Sequence, residues 1–197
     1  MALLGLGVGY LLGSLPSTWL LGRWRGVDLR RSGTGNVGSA NLAHSSGVGI
    51  AVVGFFFDAA KGVAAAFLGG IWGDAGRVLA GLGVVAGHGW PPWLRFAGGR
   101  SQTVALSAGA VIAPWGTLAI LPILGVGFFS RRLALSWPVA VVVWPVVSGL
   151  ADGAAAAVYA AGAAMLTLVL RLIGSRQMPR QAFRRAWRSR LLYDREE

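Results

Sequence analysis

Long apolar runs separated by small clusters of arginine constrain this chain more than any other feature. Residues 48–72 form one such run, broken only by Asp58 and Lys61. About 20 apolar residues suffice for a helix to cross a hydrocarbon core of roughly 30 Å. Only 13% of the residues are charged and 55% are hydrophobic, whereas a soluble domain carries about a quarter charged residues. The chain therefore reads as an all-α integral membrane protein. A net charge of +11 would suggest nucleic acid if the arginines shared a soluble face, but here they mark loops, and no nucleic-acid partner is expected. The absence of cysteine removes disulfide scaffolds, thiolate nucleophiles and cysteine-ligated metals. Thirty-one glycines and many alanines allow helices to approach closely where lipid supplies no hydrophobic force.

Clear spans lie over residues 2–22, 48–72 and 78–94, the last ending in the Pro91-Pro92 pair, where a helix kinks or stops. The first basic residue is Arg23, so the first stretch lacks the charged start of a secretory signal and reads as a retained span. Residues 136–150 and 154–170 supply two shorter spans joined by Ala151-Asp152-Gly153. Residues 103–129 could cross once or form a hairpin broken near Pro114 or Pro122. The positive-inside rule decides for the hairpin, because only then do all the arginine clusters share one side. The prediction is a bundle of seven segments, N-terminus outside and C-terminus cytoplasmic, in which segments four and five are short. Each arm of about 13 residues spans only about 20 Å at helical rise. Residues 1–174 make the transmembrane domain. Residues 175–197 place Phe183, Trp187, Leu191 and Leu192 at helical spacing among arginines, as in an amphipathic tail lying on anionic lipid.

Three polar islands interrupt the apolar pattern. The first runs from Arg30 through Ser32-Gly33-Thr34-Gly35-Asn36-Val37-Gly38 to Asn41. Its glycine spacing matches a dinucleotide fingerprint, but it follows a membrane helix rather than a strand, which excludes that reading. Closely spaced glycines let backbone N–H groups converge on a phosphate, and arginine adds bidentate donors; a flexible loop with positive-inside arginines is the alternative. The second island is Asp58 and Lys61, three residues apart and so on one helix face. Ionised groups inside a bilayer usually carry function, although an ion pair pinning two helices would also account for them. In the third, His88 leads through Trp90-Pro91-Pro92-Trp93 to Gly98-Gly99-Arg100, a second candidate anion cradle. Histidines and acidic residues are too few for a convincing metal site. Two anion cradles on one face of an apolar bundle suggest a phosphorylated, lipidic substrate.

Taken in order, these islands resemble the PlsY family of membrane glycerol-3-phosphate acyltransferases. The similarity is carried by Gly13-Ser14-Leu15-Pro16, by Gly26-Val27-Asp28-Leu29-Arg30 with Gly33-Thr34-Gly35-Asn36-Val37-Gly38 and Asn41, by Asp58-x-x-Lys61-Gly62, and by Gly87-His88 through Phe96-x-Gly98-Gly99. It implies a seven-helix protein of a bacterial-type cell membrane whose active site faces the cytoplasm. The implied reaction is attack by the primary hydroxyl of glycerol 3-phosphate on the carbonyl of acyl phosphate, giving lysophosphatidic acid and inorganic phosphate without a cofactor or metal. An apolar lateral groove would take the acyl chain. The resemblance implies catalytic roles for Thr34, Asn36, Lys61, His88 and Arg100. It implies phosphate binding by Arg30, Gly33, Gly35, Gly38, Asn41, His44, Gly98 and Gly99, with Asp58 in support.

This chain differs from the family pattern at several of those positions. Thr34 stands where the family has Ser, Ala40 where it has Thr, His44 where it has Arg, and Ala97 and Arg100 where it has Lys. Residues 171–175 lack the His and Asn of the family's basic stretch near the C-terminus. Two further readings follow: a non-catalytic paralogue that binds phospholipid or acyl phosphate, and a small transporter lined by Asp58 and Lys61.

Overall fold

The computed structural model describes residues 1–130 and 133–173. The tail expected over 175–197 and the Arg131-Arg132 pair lie outside the described residues. Among the described residues the chain forms nine α-helices: α1 (Ala2–Ser14), α2 (Ser17–Trp24), α3 (Ser39–Ser46), α4 (Val48–Gly69), α5 (Gly73–Gly89), α6 (Gln102–Ile112), α7 (Pro114–Phe129), α8 (Leu133–Ala151) and α9 (Ala154–Ile173). Helices α1 and α2 together make the first membrane segment and α4 to α9 the other six, so the expected seven are present. Among the described residues, three helical stretches are long and apolar enough to cross a membrane: Ala2–Trp24, Val48–Leu94 and Ala154–Ile173. The second of these is the α4–α5 hairpin, which turns through a short 3-10 helix at Gly70–Trp72.

The first segment differs from the unbroken span that the sequence suggested. Leu15 is extended, at φ −61° and ψ 115°, because a residue before proline is pushed away from helical ψ. Pro16 then opens α2. A broken helix leaves carbonyl groups without intrahelical partners, and in a membrane they must find them within the protein.

Residues 103–129 do form a hairpin, broken at Ala113, after which Pro114 opens α7. The backbone N–H groups of Trp115 and Gly116 donate to the Asp152 carboxylate at 3.1 and 2.9 Å. A carboxylate complements the positive end of a helix, and this one ties the α6–α7 turn to the α8–α9 turn. Helix α6 has only 11 residues, about 16 Å at helical rise.

Helices α1 and α5 lie in backbone contact. Gly5, Gly9 and Gly13 of α1 face Gly76, Ala80 and Val84 of α5, and a Cβ on any of the three would collide with the opposing carbonyl oxygen. Gly83 and Gly87 repay the contact against Leu6 and Tyr10. Small residues at four-residue spacing give this fit in lipid. Its effect is to bring the break at Leu15 alongside the C-terminal end of α5, where His88 sits.

Candidate active site

The break in the first segment meets the charged pair of α4. Lys61 Nζ donates to the Leu15 carbonyl oxygen at 2.9 Å and lies 2.7 Å from Asp58 Oδ1. Ser17 Oγ donates to Asp58 Oδ1 at 3.1 Å and Thr18 Oγ1 to Oδ2 at 2.6 Å. Asp58 is thus held at the first turn of α2, where a negative charge is favoured. His88 Nδ1 stands 3.7 Å from Asp58 Oδ1. Asp58, Lys61 and His88 are all buried, around a space of about 10 Å³, room for about one water. The pair thus satisfies the carbonyl and the first turn left open by the broken helix. Sequence reasoning missed Ser17 and Thr18. The available signal was Pro16 inside an apolar run with hydroxyl residues on both sides.

The loop from residue 26 to 38 is organised by Asn41, which is buried at 2% exposure. Its Nδ2 donates to the carbonyl oxygens of Leu29, Ser32 and Asn36 at 3.0, 3.0 and 2.9 Å, and its Oδ1 accepts from the Thr34 N–H at 3.1 Å. Every polar atom of that side chain is thus committed to the loop, and the geometry makes Asn41 a clamp rather than the phosphate ligand expected of it. Gly33 and Gly35 have φ of +55° and +71°, and a Cβ on Gly33 would collide with Asn41 Oδ1. The Gly35 N–H is itself bonded to the Ser32 carbonyl, so it too is turned inward. Thr34 Oγ1 lies 3.4 Å from the Asn36 N–H. Asn36 Oδ1 is buried with no hydrogen-bond partner, an acceptor without a donor. Gly38 precedes α3 and packs on the Asn36 amide.

Arg30, expected at a phosphate, is bound instead to Asp28, through Nε to Oδ1 at 3.1 Å and Nη2 to Oδ2 at 2.9 Å. Trp19 Nε1 also donates to Asp28, and both Arg23 and Arg30 stack on the Trp19 ring, at 5.8 and 5.4 Å. The Arg30 guanidinium holds the Asp28 carboxyl well below the usual carboxylate range, and the Trp19 bond adds to that against the opposing effect of burial. Arg30 is thus a brace at the membrane surface. His44 is exposed on α3.

The second loop folds back on the end of α5. The N–H groups of Gly98 and Gly99 donate to the carbonyl oxygens of Gly89 and His88, each at 3.1 Å. These amides are therefore occupied, which corrects the expectation that they form an open anion cradle. Their glycines are required for close approach: a Cβ on Gly99 would collide with His88 Nε2 and press on the Val37 carbonyl at 2.9 Å. Through that contact the two glycine-rich loops meet above His88. Arg95, Phe96 and Ser101 all have positive φ, between 53° and 62°, backbone strain of about 1–3 kcal/mol each that tends to collect at functional sites. Ser101 Oγ anchors the end of this loop on the Val85 carbonyl at 2.8 Å. Half-buried Arg100 lies between Gly99 and this anchor.

An apolar groove of about 590 Å³ opens beside this assembly, within the usual volume of a ligand site. Ser39, Gln102 and Thr103 line it at the end nearest the loops, and Leu106, Leu121 and Leu124 continue it between α6 and α7. Phe55 and Ala59, on either side of Asp58 in sequence, form its α4 wall.

Comparison with known proteins identifies the family. A family model described as glycerol-3-phosphate acyltransferase matches residues 3–179. A glycerol-3-phosphate acyltransferase of Synechococcus sp. is 38% identical over 174 residues, covering 86% of this chain and 87% of that one. Glycerol-3-phosphate acyltransferase 2 of Moorella thermoacetica is 43% identical over 152 residues, covering 74% and 76%. Crystal structures of the integral membrane acyltransferase PlsY superpose with a TM-score of 0.77 in both the glycerol 3-phosphate form, at 27% identity and covering 86% of this chain and 88% of that one, and the lysophosphatidic acid form, at 25% identity with 96% and 93% covered. With most of its length matched by family model, by curated relatives and by fold, this chain belongs to the glycerol-3-phosphate acyltransferase family of integral membrane proteins.

Proposed function

We propose that the chain transfers a long acyl group from acyl phosphate to the primary hydroxyl of glycerol 3-phosphate, in a site that opens to the cytoplasm. The ester C–O bond forms as the carbonyl-to-phosphate C–O bond breaks, inorganic phosphate leaves, and the hydroxyl proton passes to a phosphate oxygen. The observation that carries this reading is the meeting of the two loops at Val37 and Gly99, at the mouth of a groove large enough for a fatty chain. Helix α6 is about 16 Å long by its 11 residues, half of a hydrocarbon core of roughly 30 Å and so the depth of one lipid chain.

Arg100 supplies positive charge where a phosphate would leave, a stabilisation strongest in a dry site. Asn36, half-buried in the first loop, is placed to bind the acceptor. Thr34 and the backbone of residues 33–38 frame that position, while Asn41 and Arg30 hold the loop in shape. Lys61, Asp58 and His88 form the floor under it. The arginines of the 23–31 loop support the cytoplasmic orientation.

The deciding test is release of inorganic phosphate from acyl phosphate by the purified protein, with and without glycerol 3-phosphate. Acceptor-dependent release with formation of lysophosphatidic acid is expected. Protein that binds both substrates and releases nothing would mean that the substituted positions have cost the chain its activity. Asn36→Ala is expected to raise the KM for glycerol 3-phosphate by roughly fivefold to tenfold, the loss of one hydrogen bond, with little change in the KM for acyl phosphate. Equal KM values for the acceptor in both proteins would remove Asn36 from the acceptor site.

A further inference from the structure

The groove between α6 and α7 has a closed end. Its lining runs along α6 from Gln102 to Ala110 and along α7 from Phe128 to Thr117, and the two helices join at Ala113, which is fully buried. Near that joint the helices touch: a Cβ on Gly109 would stand 2.6 Å from Thr117 Oγ1 and 2.6 Å from the Trp144 ring. Thr117, only 5% exposed, therefore stands across the end of the groove. It is braced from behind. Buried Trp144 donates its indole N–H to Thr117 Oγ1 at 3.2 Å, and the Asp152 carboxylate holds the N–H groups of Trp115 and Gly116 just before it. Close-packed, hydrogen-bonded groups of this kind yield little to an added methylene.

The groove is also shorter than a membrane lipid chain. From Gln102 to Ala110 the lined face of α6 covers about 12 Å at helical rise, whereas half of a hydrocarbon core, the depth of one chain, is about 15 Å. A chain of that length meets Thr117 with carbons still to place. Beside Thr117 the groove has an opening, because Ala110 both lines it and is exposed, so that the wall there is one methyl group in contact with lipid. A chain that reaches Thr117 can turn past Ala110 and continue in the bilayer, which is as apolar as the groove.

Resting on the acyl-transfer reading above, we propose that Thr117 and Ala110 set which acyl chains the protein accepts. Thr117 ends the seated part of the chain, and the small side chain at 110 is the outlet through which a longer chain continues into the lipid. Residue 110 is then the specificity-determining position. A short chain ends before reaching it, and a long chain must pass over it. A residue that only packed α6 against its neighbours would affect all chain lengths alike.

The experiment measures the KM for octanoyl, palmitoyl and stearoyl phosphate in lipid nanodiscs, with the unmodified protein, Ala110→Leu and Ala110→Phe. Because Ala110 is exposed, the added atoms displace nothing in the core. In Ala110→Phe the KM for palmitoyl and stearoyl phosphate is expected to rise roughly tenfold, the usual effect of overfilling a packed site, and in Ala110→Leu by less. The KM for octanoyl phosphate is expected to stay as in the unmodified protein. Val126→Phe, on an exposed part of α7 outside the groove, should leave all three values unchanged. A second measurement needs no variant: palmitoyl phosphate carrying a photoreactive diazirine past the middle of its chain is expected to label the segment from Ala110 to Thr117. Equal changes for short and long chains in Ala110→Phe, an unaltered profile, or labelling confined to other segments would overturn the proposal and leave the acyl-transfer reading standing. Failure of the unmodified protein to form lysophosphatidic acid from any of the three donors would overturn both.

Discussion

Lys61→Ala is expected to lower turnover by at least about a hundredfold and to destabilise the protein by about 3–5 kcal/mol, the usual effect of leaving one partner of a buried ion pair alone. The Leu15 carbonyl loses its donor and Asp58 keeps only the hydroxyls of Ser17 and Thr18, because Lys61 Nζ serves both groups. The two effects can be separated. In Lys61→Met combined with Asp58→Asn, both charges are gone, and much of the lost stability should return because no uncompensated charge remains. Turnover should not return with it, since the floor beneath the loop contact would no longer carry its charges. Thermal unfolding and lysophosphatidic acid formation, measured on the same preparations, report the two quantities. Near-normal turnover in either variant would reduce the pair to a helix clamp.

Gly99→Ala should be nearly as damaging with a single methyl group. The added Cβ would collide with His88 Nε2 and meet the Val37 carbonyl at 2.9 Å, so the second loop must lift away from both α5 and the first loop. The bond from the Gly99 N–H to the His88 carbonyl would stretch with it. A loss of at least about a hundredfold in kcat/KM is expected, since displacements of about 1 Å among positioned groups can have that effect. Ala97→Gly, one residue beyond the close contacts of Gly98 and Gly99, serves as the control and should retain most activity. A Gly99→Ala protein with unaltered kinetics would show that the loops need not meet for the reaction to proceed.

The membrane class and the number of segments were legible because apolar runs and arginine clusters report directly on partition between lipid and water. The hairpin over residues 103–129 followed from charge alone, and Pro114 marks where it turns. The break at Leu15 was harder to see: Pro16 was visible, but an apolar run of full spanning length outweighed one proline. The site residues were identified by type and missed in detail for one reason. Asn41, Arg30, Gly98 and Gly99 belong to the right loops, yet sequence cannot say whether a polar group faces a ligand or its own backbone. Asn41 spends its amide on four backbone groups, and Arg30 closes on Asp28 two residues away.

The broken first segment also bears on how such a protein can be made. Synthesis runs from the N-terminus, so α1 and α2 reach the bilayer before α4. An ionised residue entering the middle of a membrane alone faces a barrier of about 2.5–3.5 kcal/mol on insertion scales. Asp58 and Lys61 arrive as a pair, and the receptors for both, the hydroxyls of Ser17 and Thr18 and the carbonyl of Leu15, are already there. The kink therefore acts as a prepared berth that eases the entry of the next span. Helix α5 can lock the glycine face of α1 only after α4 is in place, so the loops above His88 can meet only once both helices have packed.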